Sequence, residues 1–485
     1  MPSTHWSPSA VALACICTLA TGCIPSLNGN EPRDPNKAVP ASFGTAAGAT
    51  DAGAPHTSSA AQKRWSELFA SAELRALIEA ALANNRELSV QMQEIVIAQN
   101  EISARKGEYL PKVNAGAGVS VEKVGSYTSQ GASDDATGLP SNLGNFTFGL
   151  TGSWEVDVWK KLRNNAKAAD FRYLATLEAR KFLVTQIVGE IARSYYELVA
   201  LDNKLDVLKS NIQVQADALE VVKLEKQAAR VTELAVQRFE AEVQKNKSRV
   251  YDVEQERVQT ENRINFLVGR YPQPVPRNAA ELKAPLPDVI QAGLPSDLLE
   301  NRPDVRQAEL ELEAAKLDVK VAKASFYPSL SIDAAIGYRA FNVEHLLATP
   351  ESLLYGLGGK LTAPLLNRTA ITAQYRSANA RQLQAVFLYE KTLLQAFTDV
   401  ANQLSMIGNL RKGYELQAQQ VDTLAHSVEI SNILFQSARA DYMEVLLTRR
   451  DSLEAQMELI ETKKRQLQAM VTVYQALGGG WRSVK

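Results

Sequence analysis

The chain has 485 residues, 53 basic and 54 acidic side chains, and a formal net charge of -1. That balance argues against a nucleic-acid partner, which asks for a strong basic excess. After the N-terminal apolar run no stretch of about eighteen apolar residues remains, so no membrane-spanning helix is expected and any bilayer crossing has to be β.

Residues 10–20 form an apolar run too short to span a bilayer, followed by Leu19-Ala20-Thr21-Gly22-Cys23. This is the layout of a secretory signal with small residues at the cleavage point. Its ending resembles a bacterial lipobox, in which Cys23 becomes the lipidated first residue; an ordinary signal peptide with a chance cysteine is the alternative. The first nine residues hold His5 but no Lys or Arg. Cys15 and Cys17 leave with the signal, so no disulfide and no cysteine metal site is expected. A multiply acylated Cys23 would hold the chain firmly on a membrane surface, and Ile24 after it, in place of Asp, resembles an outer-membrane address. Residues 1–22 are thus expected to be a signal peptide and 23–62 a lipidated tether. The tether is rich in Pro, Ala, Ser, Gly and Asn and too poor in large apolar side chains to fold alone.

Order is expected from about Trp65, and one pattern then runs twice, over 63–285 and 286–485. Asn84-Asn85-Arg86-Glu87-Leu88 lies 27 positions before Pro111, and Asn301-Arg302-Pro303-Asp304-Val305 lies 27 positions before Pro328. Each interval is an amphipathic helix that proline ends. Strands follow. In the first hairpin, about 112–157, Val113, Ala115, Ala117, Val119 and Val121 alternate with Asn114, Gly116, Gly118, Ser120 and Glu122. Its second strand sets Phe146, Phe148, Leu150, Trp154 and Val156 against Thr147, Gly149, Thr151, Ser153 and Glu155. In the second hairpin, about 329–364, Leu330, Ile332, Ala334, Ile336 and Tyr338 alternate with Ser331, Asp333 and Gly337, and Leu353, Tyr355, Leu357 and Leu361 with Gly356, Gly358 and Lys360. One apolar and one polar or glycine face suits strands between lipid and lumen; a half-buried soluble sheet is the alternative. The connections from Gly125 to Asn145 and from Ala340 to Ser352 read as exposed loops.

Long helical hairpins come next, about 160–270 and about 368–478. Leu201, Leu205, Leu208, Ile212, Gln215, Leu219 and Val222 keep 3-4 spacing, as do Val236, Phe239, Val243, Asn246, Val250 and Val253. The second copy repeats it through Val421, Leu424, Val428, Ser431 and Phe435, then through Leu446, Arg449, Leu453 and Gln456. Sustained heptads mean coiled coils, and about seventy helical residues reach roughly 100 Å. Reversals are expected where the heptads lapse, near residues 229–233 and 438–442. The expected class is α+β. Four strands per chain cannot close a membrane barrel, which needs about eight, so the pattern points to an oligomeric pore.

The lipobox, Asn301–Val305, Trp154-Glu155-Val156-Asp157-Val158-Trp159, Ala440–Val445 and the ending Ala476-Leu477-Gly478-Gly479-Gly480-Trp481 together resemble the outer-membrane efflux lipoproteins of the TolC/OprM group. The resemblance covers about 65–481. It implies a homotrimer whose chains complete a twelve-stranded transmembrane β-barrel and a hollow coiled-coil α-helical barrel across the periplasm of a Gram-negative bacterium. It also implies a periplasmic adaptor (membrane fusion) protein, an inner-membrane pump of the RND type and contact with outer-membrane lipid. No cofactor is implied beyond covalent lipid on Cys23, and no catalytic constellation is visible. His345 and His426 lie far apart, without a ligand partner in spacing.

Within the resemblance, Asp441 matches an acidic position that rings the closed end, beside Tyr442; Arg230 aligns with Arg439 and Glu233 with Tyr442. Three carboxylates around one axis would attract cations. Arg230, Arg439, Arg449 or Arg450 could hold them closed, and Asp441 could equally be a helix N-cap. Ala229, Ala438 and Lys160 stand where the family commonly has Gly. Three readings stay open: the duct of a drug or metal efflux pump, the duct of a type I protein-secretion system, and a non-channel envelope coiled coil.

Overall fold

The computed structural model describes residues 24–27, 29, 31–43, 60–283, 295–366, 368–437 and 439–482. Cys23, the expected signal peptide and Ala438 lie outside these. In chain order the main elements are α1 (Ala72–Asn84), α2 (Arg86–Tyr109), β1 (Lys112–Glu122), α3 (Ser129–Thr137), β2 (Leu143–Val156), α4 (Lys161–Gln227) and α5 (Glu233–Val268). They continue as α6 (Pro303–Ala324), β3 (Ser329–Ala340), β4 (Leu353–Thr362), α7 (Thr369–Gln436) and α8 (Tyr442–Ala476). Two compact units comprise the described residues of Met1–Pro35, Val96–Leu174 and Glu309–Phe387, and of Asn36–Ile95, Ala175–Ala308 and Leu388–Lys485.

The first unit carries an antiparallel sheet in the order β1-β2-β3-β4. Its register carries the period-two pattern across all four strands. Ala115 faces Leu150, Leu150 faces Ile336 and Ile336 faces Tyr355; one residue on, Gly116, Gly149, Gly337 and Leu354 form the next row. Apolar side chains therefore fill one face, and glycines and polar residues the other, with Leu354 an apolar exception. A Cβ on Gly149 would sit 2.6 Å from the Ile336 carbonyl oxygen, and one on Gly337 2.5 Å from that of Phe148, so β2 and β3 approach closer here than side chains allow. The apolar face is uncovered: Val119 is 73% and Tyr355 82% exposed.

Around the sheet, indole donors tie strand ends to helix ends. Trp154 Nε1 donates to the Tyr109 carbonyl at 3.0 Å; Trp159 Nε1 donates to that of Pro328 at 2.8 Å and stacks on Tyr327 at 4.6 Å. Asp157 starts α4 by accepting the N–H groups of Leu162 at 3.1 Å and Arg163 at 2.9 Å. Lys160 takes φ 59° here, the left-handed conformation that glycine adopts freely. The first hairpin connection is not wholly irregular. It holds α3, started by Thr128, whose hydroxyl accepts the Gly131 N–H at 3.0 Å, and ended by left-handed Gly138.

The segment read as a tether forms only a 3-10 turn, Ala60–Gln62, over its described residues, yet it is docked. In the first unit Ile24 and Leu27 pack on Val319, Phe326 and Tyr375. Gln382 Nε2 donates to the Arg33 carbonyl at 3.0 Å, and Lys316 pairs with Asp34 at 2.9 Å. In the second unit Val39 and Phe43 pack on a cluster that includes Tyr389, Leu393 and Val400. Its few apolar residues borrow the helices' core, so a core of its own is unnecessary.

The second unit is helical. Leu74 and Ile78 of α1 bury against Ile191, Tyr195 and Leu198 of α4, Ile264 of α5 and Tyr474 of α8. The motifs that begin at Asn84 and Asn301 receive helix ends in the same way. Gly269 (φ 77°) lies where a Cβ would be 2.4 Å from the Asn84 carbonyl oxygen, and Gly478 (φ 88°) where one would be 2.4 Å from that of Asn301. Each glycine closes a helix with left-handed backbone against the chain's own turn. Arg302 is buried, with Asp304 at 2.6 Å and the Ala476 carbonyl at 3.1 Å.

Candidate functional site at the helix reversals

α4 ends in a Schellman motif. The Ala229 N–H donates to the Lys226 carbonyl and that of Arg230 to Glu225, both at 2.9 Å. Ala229 takes the left-handed position with φ 53°, at a cost of about 1 kcal/mol relative to glycine. At the end of α7 the Arg439 N–H donates to the Leu434 carbonyl at 2.8 Å. Thr232 and Asp441 then occupy the N-cap positions of α5 and α8 with extended backbone, and neither side chain accepts a cap hydrogen bond. Asp441 therefore stands at a helix start, where the macrodipole favours a negative charge, with its carboxylate unused by the cap.

The structure brings some of the sequence-derived residues together and leaves others apart. Tyr442 and Leu446 of α8 pack onto the cluster of Leu219, Val222, Val236, Phe239 and Val243 from α4 and α5. Arg238 Nη1 donates to Met443 Sδ at 2.9 Å. Glu233 pairs with Lys226, whose hydrogen bond holds the Glu233 carboxyl below its ordinary pKa. Arg230 and Arg439 are exposed. Among the described residues no ion pair joins Asp441 to Arg230, Arg439, Arg449 or Arg450 within one chain; Arg450 instead meets Asp451 at 3.1 Å. Arg449 spans helices, donating through Nη2 to Asn432 Oδ1 at 2.8 Å and through Nη1 to the Val214 carbonyl at 3.2 Å. Burial pulls its pKa down.

One pair was not singled out from the sequence. Asn246 Nδ2 donates to Gln215 Oε1 at 2.9 Å, with both residues fully enclosed between α4 and α5. The signal was present: Gln215 and Asn246 sit in core heptad positions, seven residues from Leu208 and Val222 and from Phe239 and Val253 respectively.

A profile of the outer membrane efflux protein family matches residues 77–270 and 294–479. The chain is 28% identical to the pyoverdine export outer membrane protein OpmQ of Pseudomonas aeruginosa over 97% of this chain and 96% of that protein. It is 26% identical to the cation efflux system protein CusC of Escherichia coli O6:H1 over 98% and 100%. Its fold matches the open-state MtrE outer membrane channel of Neisseria gonorrhoeae with TM-score 0.79 and 22% identity, covering 95% of this chain and 98% of that one. The chain belongs to the outer membrane efflux protein family, and it is a transport protein of the outer membrane and not an enzyme.

Proposed function

We propose that three copies of this chain form the exit duct of a tripartite efflux pump, with an internal twofold repeat supplying two strand hairpins and two helical hairpins per copy. The observation that carries this reading is the sheet. It has one continuous uncovered apolar face, an opposite face of glycine and polar residues, and two edge strands that each pair on one side only among the described residues. Copies joined edge to edge would satisfy those edges, put twelve strands in a barrel and turn the apolar face to lipid. From Trp154 to Phe146 β2 runs about 26 Å, a rise of about 20 Å at 40° tilt, close to the roughly 25 Å apolar band of such barrels.

Cys23 would carry the lipid. Ile24, one residue on, packs beside Phe326, next to the Trp159–Tyr327 stack, which suits an anchor at the edge of the apolar band. The helical hairpins would line the periplasmic duct, and their reversals, with Asp441, Tyr442, Glu233, Arg230 and Arg439, would form the gate that the adaptor opens for an RND-type inner-membrane pump. Relatives of nearly equal identity are named for pyoverdine in one case and cations in another, as expected where the pump selects the cargo and the duct passes small molecules or metal ions.

The test is complementation. A strain deleted for this chain, retaining its adaptor and pump, should lose export of the pump's cargo and regain it with the wild-type chain, which should cross-link to a trimer in the outer membrane. Normal export in the deleted strain, or a chain that stays monomeric in the membrane, would overturn the proposal.

A further inference from the structure

The helices next to the reversals are not packed by one continuous apolar core. On the tip side, Leu219 and Val222 of α4, Val236, Phe239 and Val243 of α5, and Tyr442 and Leu446 of α8 form one cluster. On the far side, Leu201, Leu205 and Leu208 of α4, Val250 and Val253 of α5, and Leu453 and Met457 of α8 form another. Between them every helix contributes a polar group. Gln215 of α4 bonds Asn246 of α5; Arg449 of α8 reaches Asn432 of α7 and the Val214 carbonyl of α4. Gln215 is 1% and Asn246 0% exposed.

This layer is under-satisfied. Gln215 Nε2, Asn246 Oδ1, Asn211 Oδ1 and Arg449 Nε are buried without a protein partner among the described residues. A buried, unpaired polar atom weakens the packing around it, and an apolar layer of the same volume would hold more strongly. An isolated polar residue at a core heptad position lowers coiled-coil stability while fixing register.

We infer that the layer of Gln215, Asn246, Arg449 and Asn432 is a parting plane, so that the tip beyond it opens and shifts as one body while the helices behind it stay packed. These are positioning residues for the gate, and their place in transport rests on the tip-gate reading above. The tip cluster spans three helices and both reversals, so Tyr442 and the neighbouring Asp441 move with it. The plane keeps the helices in register through its directional hydrogen bonds, while the two apolar clusters on either side do not merge.

Hydrogen exchange followed by mass spectrometry on the full-length protein tests this. In the wild type, amides of residues 216–245 should exchange about tenfold faster than those of 198–212, since a separate opening needs less free energy than opening the whole bundle. The Gln215→Leu/Asn246→Leu variant should fuse the clusters, cut that difference to about threefold or less, and reduce export while the oligomer persists. Equal protection across residues 198–245 in the wild type overturns the parting plane whatever export does, and needs no variant to fold. A protection step that the double variant removes with export unchanged leaves the plane standing and overturns the gate reading on which its role rests.

Discussion

In the sheet the large apolar side chains share one uncovered face, with Val119, Tyr355 and Leu357 largely exposed, while glycines and polar residues make up most of the opposite face. At the helix reversals the arrangement inverts: Leu219, Val222, Phe239 and Val243 are buried, and Arg230, Glu233 and Asp441 are exposed. A single chain thus carries two hydrophobic patterns with two different destinations. Period-two alternation gives the sheet an uncovered apolar face, and heptads in the helices give a buried core. Stability should accordingly respond to opposite substitutions in the two regions, and the difference can be measured.

The largest effect is expected from Phe239→Ala, which empties a buried site in the tip cluster. It should cost about 3–5 kcal/mol in denaturant unfolding, whereas Phe148→Ala on the exposed sheet face should cost far less in detergent. Equal losses would mean that the sheet face is buried in the isolated chain. Next, Leu357→Arg should cost about 2–4 kcal/mol if that face meets the bilayer core. Thr151→Arg on the opposite face should be close to neutral, and the readout is the fraction of protein inserted in the outer membrane. If both substitutions block insertion equally, the assignment of faces fails.

Smaller effects concern the joints. Asp157→Asn should cost about 1–2 kcal/mol at neutral pH, because the buried carboxylate accepts the N–H groups that start α4. Burial alone would raise the Asp157 pKa, but the hydrogen bonds from Arg163 and Leu162 outweigh it and hold the carboxyl below its ordinary value. With the folded pKa depressed, the stability that the charge contributes is present above the unfolded value and is lost as pH falls through the folded one. The gap between wild type and variant should therefore narrow in acid; a gap independent of pH would contradict a role for the charge. Smallest of all, Ala229→Gly should raise stability by about 0.5–1 kcal/mol by relieving left-handed alanine, less the entropy that glycine adds to the unfolded chain. Thermal unfolding that shows destabilisation would contradict the observed φ.

Much of the architecture was legible because both periods are local. Strand alternation at 113–121 and 330–338 and the 3-4 spacing from Leu201 to Val222 are visible residue by residue, and the heptad lapses marked where α4 and α7 stop. What escaped depends on contacts between distant residues. Gly138 and the Thr128 cap make α3 within a segment whose Ser, Gly and Asp content reads as loop. Ile24, Leu27, Val39 and Phe43 look too sparse to fold until helices elsewhere in the chain receive them. Gln215, Asn246 and Arg449 interrupt the heptads as single polar residues, and only the packing reveals that they share one layer. Of the candidate gate residues, Tyr442 docks on the first helical hairpin, and among the described residues Asp441 pairs with no arginine of its own chain. A ring of carboxylates on a symmetry axis would be a property of an assembly, which local sequence periods do not encode.

Single-channel conductance of the purified protein in a planar bilayer, with the size of the cross-linked oligomer read alongside, tests the central claim most directly. A trimer with long-lived, cation-preferring openings is expected, with a weakened cation preference in Asp441→Ala. A protein that runs as a monomer or dimer and never conducts would contradict it.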